Sequence, residues 1–179
     1  MALDYRFQLP PHLPRGYEQM EILNLGAGHC SSPISEQFLT LKCRNLTNVE
    51  VFRPVFNQLV GLNFASSVEN VCEDIRIFVG GLAEGSYDVV IMLDVLEHFT
   101  KEDGQKILKA ITRIARKGVC LFLPMKECPQ DDYEGNPYQR HLSTWVAEEF
   151  PTPWVVEYYE EFHTHVDPPA DAAWVMLYN

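Results

Sequence analysis

A chain of 179 residues, 46% hydrophobic and 22% charged, can bury one substantial core but leaves no room for a nucleotide domain plus a separate substrate domain. A single domain over residues 1–179 is therefore expected, and the formal charge of -11 argues against a nucleic-acid partner, whose phosphates would be repelled. No apolar run reaches the ~18 residues of a membrane helix, and five cysteines without a CxxC pair suggest neither disulfides nor a metal site, so a reducing cytoplasm is the expected setting.

In chain order, residues 1–20 read as an extended N-terminal arm, Pro-rich from Leu9 to Arg15. Glu21 to Leu25 is a short apolar strand running into the turn Gly26-Ala27-Gly28, and a helix is expected from Ser32 to Leu41 with Pro33 in its first turn. Val49 to Phe52 reads as a second strand, Pro54 to Leu62 as a short helix, and Val68 to Cys72 as a third, weaker strand. Val89 to Leu93 is apolar at every position, the pattern of a central strand covered on both faces. Glu102 to Arg116 carries Ile107, Leu108, Ile111 and Ile114 at helical spacing, and Gly118 reads as its stop. Val119 to Leu123 is a fifth strand. A helix near Thr144 to Phe150 and strands at Trp154 to Tyr158 and Ala172 to Tyr178 complete the chain. Alternating strands and helices specify an α/β fold, a doubly wound, Rossmann-like and mostly parallel sheet. The short connection between the last two strands favours a hairpin, so the C-terminal strand is expected to run antiparallel.

In such a sheet ligands bind beyond the carboxyl ends of the strands. Each polar candidate sits at such an end. Gly26 and Gly28 follow strand one and let backbone approach a ligand, although a third glycine is missing and Ser31 stands in the dinucleotide-fingerprint position. Glu50 lies near the end of strand two, where a carboxylate can accept both hydroxyls of a ribose. Asp74 follows strand three, where it can take an exocyclic amine while the backbone N-H of Ile75 meets a ring nitrogen. Asp94-Val95-Leu96-Glu97-His98 follows strand four.

The run Tyr87 to Phe99 resembles the strand-four signature of class I S-adenosylmethionine-dependent methyltransferases, and Glu21 to Gly28 resembles their glycine-rich first motif. The segment Asn136-Pro137-Tyr138-Gln139-Arg140-His141-Leu142-Ser143-Thr144-Trp145 is similar to one in a poorly characterised subset of them. The resemblance implies S-adenosylmethionine as cofactor. Asn24, Gly26, Ala27 and Gly28 would then run beside its methionine part, Glu50 would hold the ribose, Asp74 and Ile75 the adenine, and Asp94 and Val95 would line the methyl side. Asn24 replaces the family's usual acid and Cys30 its third glycine. Those two departures motivate a second reading, a catalytically silent binding or regulatory module of the same fold.

A sulfonium methyl is already activated, so the protein's work is to place an acceptor, expected to be a small molecule, and to exclude water. His141, His98 and Tyr138, with Glu97, are the candidates to position or deprotonate it. His163, His165 and Asp167 resemble a metal cluster in composition, but lack a fourth ligand and read as surface residues. With little sequence before strand one to cap the pocket, the site is expected to be open, or completed by a second subunit as in a homodimer.

Overall fold

Strand and helix alternate into one seven-stranded sheet of order β3-β2-β1-β4-β5-β7-β6. The computed structural model describes residues 5–28 and 33–179. The strands are β1 (Glu21–Leu25), β2 (Asn45–Val49), β3 (Ser67–Val71), β4 (Tyr87–Leu93), β5 (Ala115–Met125), β6 (Val155–His163) and β7 (Ala170–Tyr178). Among the described residues four α-helices lie between them: α1 (Pro33–Thr40), α2 (Arg53–Val60), α3 (Ile75–Gly80) and α4 (Lys101–Ile114). β1 to β5 pair in parallel, and β7 runs antiparallel to both β5 and β6, as the short final connection predicts.

Both sheet faces are covered, which is why the central strands are apolar throughout. On one face Leu23, Leu25, Val90, Met92, Val119 and Leu121 pack with Ile107, Ile111 and Ile114 of α4. On the other, Ile22, Val89, Ile91, Cys120 and Phe122 meet Phe38 of α1, Trp174 of β7, and Phe7, Leu9 and Leu13 of the N-terminal segment.

That segment is not an extended arm. It folds into short 3-10 turns at Tyr5–Phe7, Pro10–His12 and Tyr17–Gln19 and is strapped over the sheet, because Phe7, Leu9 and Leu13 are apolar enough to bury themselves. The strap is pinned by the Trp174 Nε1-H to the Arg6 carbonyl at 2.8 Å and by the Tyr178 hydroxyl to the His12 carbonyl at 2.9 Å. The His12 ring also stacks on Trp174, centroids 4.1 Å apart.

Several boundaries differ from the sequence reading. β2 lies at Asn45–Val49, ahead of Val49 to Phe52, because its polar side chains are paired inside the sheet. Asn24, Asn48 and Asn70 stand in register on β1, β2 and β3, and each amide donates to the next at 3.0 Å. α3 was not expected; Asp74 caps it by accepting from the Arg76 N-H at 2.8 Å. α4 ends at Ile114 and not at Arg116, and Gly118 lies within β5. The stretch Thr144 to Phe150 is no α-helix but holds a 3-10 turn, Ala147–Glu149, because Trp145 bridges to Lys126 beside β5, its carbonyl taking the Lys126 N-H at 2.8 Å. Ser31 and Ser32 lie outside the described residues, as does Cys30.

Candidate functional site

The carboxyl ends of β1, β2 and β4, together with the start of α3, open onto one cavity of about 510 Å³. Gly26, Gly28, Glu50, Asp74, Ile75, Asp94, Val95, Glu97, His98, Tyr138 and His141 all line it, so eleven of the thirteen donor and acceptor candidates converge there. Asn24 and Ala27 do not. Asn24 is buried within β1 and spends its side chain on Asn48, and Ala27 is buried behind the turn. The far side of the cavity is walled by residues of the segment between β5 and β6, among them Gln130, Tyr133 and Asn136.

The glycine turn is built for close approach. Gly26 adopts φ +69°, and a Cβ on it would lie 2.5 Å from Cγ2 of Val95, so the first turn and the residue after Asp94 pack backbone against side chain. Glu50 is buried at the end of β2, where one carboxylate oxygen accepts from the Gly28 N-H at 3.0 Å and the other from the Phe52 N-H at 2.8 Å. Asp74 is held by Arg76, whose guanidinium lies 2.6 Å from one of its oxygens and also 3.0 Å from Asp103 of α4. Those hydrogen bonds keep the Asp74 carboxyl below the usual carboxylate range against the opposing effect of burial.

Asp94 leaves β4 with a left-handed backbone, φ 51°, its N-H bonded to the Phe122 carbonyl at 2.8 Å. Its Oδ1 is buried without a partner, and burial pushes its carboxyl up to about 7. Glu97 is 1% exposed; neither carboxylate oxygen has a hydrogen-bond partner. Burial, and then the charge of Asp94, drive it well above the carboxylate range. The Glu97 carbonyl accepts from the N-H groups of Leu142 and Ser143 at 2.8 and 3.1 Å, which brings His141 beside the Glu97 side chain.

His141 Nε2 lies 3.9 Å from Glu97 Oε1, and its Nδ1 meets the Cys128 carbonyl. A proton on Nδ1 satisfies that carbonyl and leaves the Nε2 lone pair toward Glu97. The His98 ring is 5.0 Å from that of His141, with Nδ1 3.3 Å from the Arg140 carbonyl. Burial lowers both imidazoles, His98 to about 4 with help from His141, so both are neutral at pH 7.

Other cavity residues are not singled out by the sequence, among them Arg76, Asp103, Cys128 and Gln130. Cys128 had no signal beyond its type. His165 is exposed, in line with its reading as a surface residue, whereas His163 is half-buried with Nε2 lacking a partner; both line the cavity. Their spacing around the β6–β7 turn could have suggested one wall, but nothing in the sequence says which wall.

Six carboxylates line the cavity, Glu50, Asp74, Asp94, Glu97, Asp103 and Glu134, and Arg76 is spent on two of them. A family profile described as a methyltransferase domain matches residues 23–123. The chain belongs to that methyltransferase domain family. It is similar in fold to a SAM-dependent methyltransferase from Archaeoglobus fulgidus, with TM-score 0.59, 13% identity, and 89% of this chain and 86% of that one covered. It is also similar to DhpI, solved as its SAH complex, with TM-score 0.58, 12% identity, and 92% and 79% covered. WbdD gives TM-score 0.57 at 19% identity over 88% of this chain, which spans only 35% of the WbdD chain. No curated protein matches the sequence significantly.

Proposed function

We propose that this methyltransferase carries a methyl group from S-adenosylmethionine to a small-molecule acceptor inside the cavity beyond β1, β2 and β4. One observation carries the reading: residues from four separate strand ends line a single cavity of about 510 Å³, within the ~300–1,000 Å³ of small-molecule sites. The chain's residues fit a cationic donor. The orphaned Asp94 Oδ1 offers an acceptor to its ammonium or hydroxyl groups.

In this reading Gly26 and Gly28 run beside the methionine part, Glu50 holds the ribose, Asp74 and the Ile75 backbone hold the adenine, and Asp94 and Val95 line the methyl side. The cofactor supplies a methyl group already activated on a sulfonium. The chain then has to orient an acceptor and exclude water, which can supply several kcal/mol of a barrier on its own. His98, His141 and Tyr138 face the acceptor end, and the two neutral imidazoles present nitrogen lone pairs there without adding positive charge beside the donor.

Calorimetric titration with S-adenosylmethionine and its demethylated product tests the donor half: saturable binding of both is expected, and no heat from either at millimolar concentration sinks the reading. Mass spectrometry of molecules that co-purify with the chain tests the acceptor half. A fold kept only for binding would take up the donor and never yield the demethylated product with any acceptor pool.

A further inference from the structure

Glu97, His98 and His141 each place a ligand atom within 4.8 Å of the others, the one such group of His, Cys, Asp and Glu among the described residues. Two of the three come from the turn after β4 and the third from the segment after β5, held together by the Leu142 and Ser143 N-H groups on the Glu97 carbonyl. We propose that these three residues bind a divalent first-row transition-metal cation in the cavity.

The observation that points to a ligand is the Glu97 carboxylate itself, buried with both oxygens unpartnered beside a second orphaned carboxyl oxygen on Asp94. Isolated buried carboxylates are costly, and native structures leave very few polar groups in this state. A cation between Glu97 and the two imidazoles would satisfy both oxygens at once. His141 is arranged as metal-binding histidines are: its Nδ1 is occupied by the Cys128 carbonyl, which fixes the ring and turns the Nε2 lone pair to the cluster. Ligands around one ion at ~2.1 Å bonds stand roughly 3 to 3.5 Å apart, so the cluster has to contract by about 1 to 2 Å on binding. One carboxylate and two imidazoles match Zn²⁺, Mn²⁺, Fe²⁺ or Co²⁺ and are too rich in nitrogen for Ca²⁺ or Mg²⁺.

Three protein ligands leave coordination positions open, and the cavity gives access to them. In this arrangement His141 Nε2 serves the metal, and the proposed acceptor end becomes a place for an oxygen ligand of that metal. Binding of the ion does not require the methyl-transfer reading, so the two can fail separately.

The test uses the full chain, stripped with a chelator and dialysed, with no methyl donor present. Titration with Zn²⁺ by calorimetry and with Co²⁺ by visible absorption is expected to show one equivalent bound and d–d bands of a nitrogen and oxygen site. Glu97→Gln and His141→Ala should each weaken binding by at least about tenfold, while His165→Ala should leave it within about twofold, with circular dichroism confirming the fold of each. Failure of the unmodified chain to bind either ion overturns the proposal whatever the variants do. So does binding that survives Glu97→Gln and disappears in His165→Ala, which would move the ion to the β6–β7 turn.

Discussion

Glu50 Oε2 accepts a hydrogen bond from the Gly28 backbone N-H at 3.0 Å, so the carboxylate after β2 holds the glycine turn after β1. A residue chosen for ribose contact therefore also shapes the loop beside it. Glu50→Ala is expected to weaken S-adenosylmethionine binding by ~1–3 kcal/mol, the range for leaving buried polar groups unpaired, and Glu50→Gln by less, since an amide retains one acceptor. Titration calorimetry on the two variants checks both the size and the order. Equal affinities in the native chain and Glu50→Ala would remove Glu50 from the donor site.

Gly26 faces Val95 so closely that Gly26→Ala meets two obstacles, a left-handed backbone and a 2.5 Å contact. The backbone alone costs roughly 1–2 kcal/mol for a residue with a Cβ. Val95→Ala relieves the contact and leaves the backbone, so the double variant should regain only part of the lost melting temperature. Full recovery would show the backbone conformation to be unimportant.

Gly104 in α4 tests packing against helix propensity. Alanine ordinarily stabilises a helix interior over glycine by ~1 kcal/mol, but a Cβ here would lie 2.6 Å from Cζ2 of Trp145, which is buried and capped by Lys101 with Nζ 3.6 Å from its ring centre. Overpacking at about 1–3 kcal/mol outweighs the gain, so Gly104→Ala should lower the melting temperature. Trp145→Ala should cost more, ~3–5 kcal/mol, and should loosen the wall that carries His141. Thermal denaturation ranks the two.

Acid should weaken the fold through carboxylates held low in the native state. Hydrogen bonds from Lys126 and Tyr158 bring Asp171 down to about 2, and at Asp88 the bonds from Arg116 and the Glu21 N-H outweigh the opposing effect of burial. A carboxylate that titrates near 3.9 when unfolded and lower when folded stabilises the native state above ~pH 4 and loses that contribution as pH falls through the folded value. The melting temperature should therefore drop between about pH 4 and 2, and Asp171→Asn should flatten the drop. An unchanged slope in that variant would show the Lys126 pair to be fully screened by solvent.

The order of elements and the strand-end residues were readable because apolar runs and glycine turns report local structure directly. Hydrophobicity cannot register Leu46-Thr47-Asn48 as interior, which is why the sequence points to a later β2; its burial depends on Asn24 and Asn70, more than twenty residues away on either side. The pairing of Glu97 with His141 was equally hidden. Each was a candidate by type, but the contact arises from backbone bonds across the 44-residue separation of two loops, and no periodicity encodes that. Asn24, read as a lost acid beside the donor, turns out to serve the sheet.

β7 lies between β5 and β6, so β6 has no neighbour in the sheet until the strand that follows it has formed. His163 closes β6, and its position in the cavity wall is thus set only once β7 has docked. The wall opposite the glycine turn thus has two origins, the segment between β5 and β6 with Gln130, Tyr133 and Asn136, and the end of β6 with His163, which joins the sheet only through the strand that follows it.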